Sequence, residues 1–100
     1  MATPSRQFSL QQAFQANPEL ARVAARIRQS QRMLEIIRPL LQPGLRAQVQ
    51  AGPVEDDCWC LLVGNPAMGV KIRQLTPALL VALRTGGYAI ERLRIKVRVR

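Results

Sequence analysis

Residues Arg92 to Arg100 alternate cationic and aliphatic side chains, Arg-Leu-Arg-Ile-Lys-Val-Arg-Val-Arg. Successive side chains of a β-strand point to opposite faces. As a strand, this segment puts Leu93, Ile95, Val97 and Val99 on one face and Arg92, Arg94, Lys96, Arg98 and Arg100 on the other. The aliphatic row can seal a core only if the cationic row is left in water. The chain is therefore expected to fold around a sheet that keeps one face open.

A chain of 100 residues has room for one modest core, so a single domain over residues 1–100 is expected, with residues 1–8 as a loose N-terminal arm. Nearly half of the residues are hydrophobic, at 48%, which argues against disorder. The net charge is +9, and 13 of the 15 cations are arginine, the side chain whose planar fork matches phosphate. A polyanionic partner is the natural inference. No apolar stretch reaches the eighteen or so residues of a membrane span, and no charged start followed by an apolar run marks a signal peptide, so no membrane partner and a cytoplasmic location are expected.

The chain has no histidine and only two cysteines, Cys58 and Cys60, too few ligands for a structural zinc site. Histidine-based triads and acid–base chemistry are excluded. Glu19, Glu35 and Glu91 lie far apart and offer no acid–base constellation. Neither an enzyme nor a cofactor is expected. The three adjacent carboxylates Glu55, Asp56 and Asp57 lack calcium-loop spacing and read as a solvated turn. Cys58 and Cys60 flank Trp59 and read as small buried hydrophobes on one side of a strand.

Helix starts are marked by a capping residue followed by proline, at Asn17-Pro18, Asn65-Pro66 and Thr76-Pro77. A capping box at Ser9 to Gln12 predicts a short helix over Leu10 to Ala16. From Pro18 to about Arg38 the spacing of Leu20, Val23, Ala24, Ile27, Leu34, Ile37 and Leu41 predicts an amphipathic helix. Leu45, Ala47, Val49 and Ala51 then alternate with polar residues as in a strand. Gly52 to Asp57 reads as a turn into a second strand, Cys58 to Val63. Two abutting helices are expected, Pro66 to about Leu75 and Pro77 to about Thr85, stopped by Gly86-Gly87. A crossover of that length makes the second and third strands parallel. The result is an α+β fold of order ααββααβ: a three-stranded mixed sheet with the helices on one face.

This order resembles the type II KH-like fold. The run Met68-Gly-Val-Lys-Ile-Arg-Gln-Leu-Thr-Pro-Ala-Leu-Leu-Val-Ala-Leu83, between a strand ending at Val63-Gly64 and Ile95-Lys-Val97, resembles the DciA-type family of bacterial proteins. The resemblance covers most of the chain from about Leu10. It implies a KH-like domain that binds the replicative helicase, assists its loading during DNA replication and has affinity for single-stranded DNA. The family commonly carries a tryptophan in the helix before the first strand; Gln31 to Leu41 has none. Nucleic-acid-binding KH domains keep a Gly-x-x-Gly loop between the abutting helices, where this chain has Leu75-Thr76-Pro77. Proline has no amide to offer a phosphate, so any nucleic-acid contact must come from elsewhere.

The cationic row supplies the alternative. Its members recur about every 6.6 Å along a strand, a spacing of the order of successive phosphates on an extended single strand. The expected contact residues are Arg92, Arg94, Lys96, Arg98 and Arg100, joined by Arg46 on the first strand if its apolar neighbours point inward. Arg22, Arg26, Arg32, Lys71, Arg73 and Arg84 lie on helices and form a possible second basic surface. Trp59 is either a base-stacking platform on the open face or a core residue; the core is favoured because so small a domain rarely leaves its largest aromatic exposed. The expected partners are single-stranded DNA or RNA and a protein partner, with the chain a monomer or weak homodimer. The alternative is a protein-interaction or homo-oligomerisation domain in which the last strand pairs with a partner's edge and the charge is incidental.

Overall fold

A computed structural model describes residues 17–98. The expected helix over Leu10 to Ala16, the N-terminal arm, Val99 and Arg100 lie outside the described residues. The elements are α1 (Pro18–Ile37), a short 3-10 turn (Arg38–Leu40), α2 (Pro43–Arg46), β1 (Val49–Glu55), β2 (Cys58–Val63), α3 (Pro66–Thr85) and β3 (Arg92–Val97). The strands form one mixed sheet in the order β1-β2-β3, antiparallel between β1 and β2 and parallel between β2 and β3. This is a small α+β domain, compatible with a KH-like fold.

Two of the three cap-and-proline signals start helices. The Asn17 side chain accepts from the backbone N–H groups of Glu19 and Leu20 at 3.0 and 3.3 Å, and that of Asn65 accepts from Met68 N–H at 3.0 Å. The third does not. Pro77 lies inside α3, which runs unbroken through it, so the expected pair of abutting helices is one helix. The proline deprives only the Arg73 carbonyl of its partner. Both residues are exposed, and water can satisfy that carbonyl. On the opposite side Ile72, Leu79 and Leu83 form one fully buried row that continuation of the helix keeps intact. The Thr76 hydroxyl, rather than capping a new helix, donates to the Ile72 carbonyl. The C-terminus of α3 is a Schellman turn: Gly87 takes φ +94°, its N–H donates to Arg84, and Tyr88 N–H donates to Leu83.

The first strand is also displaced from its expected position. Leu45 is buried in α2 rather than on a strand, and β1 runs on to Glu55, leaving only Asp56 and Asp57 as the turn. Asp56 adopts the left-handed conformation, φ 54°, as a short polar residue in a tight turn can. Within β1 the register shifts between Ala51 and Val54. This bulge accommodates Gly52 and Pro53 in an edge strand, where proline is tolerated.

Both long helices cover the same sheet face. Trp59, Leu61 and Val63 of β2 are fully buried there, packed with Met33 and Ile37 of α1 and Ile72, Leu79 and Leu83 of α3. Gly69 of α3 is buried against the sheet beside Ile95 and Val63. At about 30 Å, α1 is longer than the strands it covers. Its first half overhangs, leaving Leu20, Val23 and Ile27 at 42, 52 and 58% exposure.

Candidate nucleic-acid interface

The face of the sheet away from the helices is built in rows across the strands. Glu55 of β1 stands opposite Cys58 of β2, which stands opposite Arg92 of β3. Two residues further along β2, Cys60 pairs with Arg94 and looks across to the Gly52-Pro53 bulge. The last row is Gln50, Leu62 and Lys96. Each complete row runs from a polar or acidic group on β1, over a thiol or aliphatic group on β2, to a cation on β3. Pro53, Glu55, Cys60, Leu62, Arg94 and Lys96 are among the residues lining a shallow concavity of about 430 Å³ on this face.

The burial of β3 follows its alternation: Arg92, Arg94 and Lys96 are exposed, Leu93, Ile95 and Val97 half-buried. Arg98 lies just past the strand. It is exposed, and its backbone N–H donates to Val63 at 2.8 Å, so the chain stays aligned with β2. Arg92 differs from the others because its Nη2 donates to Asp57 Oδ1 at 3.0 Å. That hydrogen bond and the carboxylate's charge push the Arg92 pKa further up. Among the described residues the only ion pairs are this one and Arg38–Glu35. Arg94, Lys96 and Arg98 therefore face solvent without a carboxylate partner among those residues. Arg100 lies outside the described residues.

Arg46 does not belong to this face. It sits in α2, and its Nε donates to the carbonyls of Arg38 and Leu41 at 3.0 and 2.9 Å. The guanidinium thus holds the turn between α1 and β1. The expectation of a strand there failed because Leu45 and Val49, four residues apart, are both buried, a helix-and-turn spacing as well as a strand one. Arg22, Arg26, Arg32, Lys71, Arg73 and Arg84 are all exposed on α1 and α3, in the helical layer rather than on the open sheet face.

Trp59 is a core residue at 0% exposure. Its indole N–H donates to Ser30 Oγ at 2.9 Å, and the Ser30 hydroxyl donates to the Gly52 carbonyl at 2.7 Å. This relay ties α1 to β2 and to the β1 bulge. Because Trp59 points inward, Cys58 and Cys60 point outward. Cys58 is half-buried and Cys60 buried, both as free thiols. Burial pushes the Cys60 pKa up, opposed by the neighbouring charges of Arg94 and Lys96. The sequence reading missed the floor of the concavity and its acidic edge. The floor was recoverable: with Trp59 placed inside, parity alone sends Cys58, Cys60 and Leu62 to the cationic face.

No protein-family model matches the chain, and no curated protein matches it. No helix among the described residues is long and apolar enough to cross a membrane.

Proposed function

We propose that this protein is a non-enzymatic cytoplasmic adaptor. It binds single-stranded nucleic acid through the open sheet face and a protein partner through the helical side. The observation that carries the reading is the run Arg94, Lys96 and Arg98, exposed on one face and free of acidic partners among the described residues. Contacts from such a row to phosphates give affinity indifferent to sequence. The overhanging stripe Leu20, Val23 and Ile27 supports the protein-binding half of the proposal, because exposed aliphatics in one row commonly mark interaction surfaces. The resemblance to the DciA-type family makes the replicative helicase the candidate partner and DNA replication the setting.

Fluorescence anisotropy with labelled single-stranded DNA tests the nucleic-acid half. Binding should weaken with salt at a log-log slope of about −2, for roughly three phosphates neutralised. Changing Arg94, Lys96 and Arg98 together to glutamine should abolish it. Absence of binding by the unmodified protein at low salt would overturn the reading.

A second reading has its own support: β3 is an edge strand, and an edge can pair with another chain. In that case the domain is a homo-oligomerisation or protein-interaction module with no nucleic-acid role. Light scattering that finds a salt-insensitive dimer indifferent to DNA would favour it.

A further inference from the structure

The open face is not uniformly cationic, and its asymmetry points to a more specific ligand. Cations line β3, neutral apolar groups line β2, and β1 contributes Glu55, an exposed carboxylate without an ion-pair partner among the described residues. Glu55 stands in the row of Arg92, so Arg94 lies two strand spacings across and two residues along from it, about 12 Å between backbones, comparable to the breadth of a nucleotide from phosphate to base edge. Arg92 is held by Asp57, so the phosphate-binding positions beside the concavity are Arg94 and Lys96. A nucleotide with its phosphate at Arg94, and Lys96 beside it, lays its base over Cys60 and Pro53 and presents the base edge to Glu55. With Trp59 buried on the other face, this floor holds the base by apolar contact, not by aromatic stacking.

An ionised carboxylate only accepts hydrogen bonds, through two oxygens side by side. Guanine presents two adjacent donors, N1–H and the N2 amino group, and satisfies both oxygens. Adenine and cytosine offer one amino group beside a ring-nitrogen acceptor. Thymine and uracil offer one N–H between two carbonyls that repel the carboxylate. We infer that the concavity between Glu55 and the Arg94–Lys96 pair is a guanine-selective nucleotide subsite within a single-strand-binding face. The inference rests on the nucleic-acid reading above and adds to it a base preference that phosphate contacts cannot provide.

The test is an anisotropy titration at low salt with short single-stranded oligomers: all thymine, guanine at every third position, and inosine, which lacks the N2 amino group, at those positions. The guanine oligomer should bind about fivefold tighter than the thymine one, the size expected of a charge-assisted hydrogen bond on an open surface. Inosine should fall between them. Glu55→Gln should bring all three within about twofold of one another, with thymine-oligomer binding as tight as before or tighter once the carboxylate is gone. Glu55 is exposed, so circular dichroism should show this variant folded. Equal affinity of the unmodified protein for all three oligomers, or a guanine preference that survives Glu55→Gln, would overturn the subsite and leave the nucleic-acid reading intact. Failure to bind any oligomer would overturn both.

Discussion

Ser30 is the one buried polar side chain among the described residues, at 5% exposure, and it serves two partners at once. It accepts from the Trp59 indole and donates to the Gly52 carbonyl. Ser30→Ala strands a donor and an acceptor in a dry interior, which costs about 1–3 kcal/mol. Thermal denaturation should register this as a midpoint lowered by several degrees; an unchanged midpoint would show that water replaces the hydroxyl. Cys60 provides a pH test. Its thiol pKa is raised in the folded protein chiefly by burial, so the folded state binds that proton more tightly than the unfolded chain does. The stabilisation is complete below the ordinary thiol pKa and is lost as pH rises through the folded value. Denaturant midpoints should therefore fall from neutral to alkaline pH, and Cys60→Ser should flatten the decline. Alkylation should also reach the half-buried Cys58 before Cys60.

At the scale of elements, α3 shows local signals yielding to burial. Thr76-Pro77 carries the same helix-start signature as Asn17-Pro18 and Asn65-Pro66, yet only the latter two cap helices. Continuing the helix keeps Ile72, Leu79 and Leu83 on one buried face, and that outweighs a single orphaned carbonyl on the wet side. Pro77→Ala should stabilise the protein by about 1–2 kcal/mol, the helical gain less the entropy that proline removes from the unfolded chain. A loss of stability in chemical denaturation would mean that the proline shapes α3 in a way the core depends on.

The strands show the other side of legibility. The cationic row of β3 could be read from its alternation, and its parallel pairing to β2 from the length of the crossover. The acidic edge could not. The bulge at Gly52-Pro53 reverses parity between Ala51 and Val54, so Glu55 shares a face with Gln50 although the two are an odd number of residues apart. A Cβ on Gly52 would meet the Cys60 carbonyl at 2.7 Å, and this contact fixes a glycine at the bulge, where sequence reasoning saw only a turn.

For the molecule as a whole, the sheet separates two kinds of surface. The helical layer encloses the core and carries the exposed stripe Leu20, Val23 and Ile27 together with scattered arginines. The open face concentrates cations along β3 and keeps a carboxylate on β1. A net charge of +9 attracts any polyanion at long range, so affinity alone does not identify which face binds. Backbone-amide chemical-shift mapping with an unlabelled single-stranded oligomer does. Perturbations should concentrate at Cys58 to Leu62 and Arg92 to Arg98. Shifts confined to α1 and α3, or no shifts at low salt, would contradict binding at the open face.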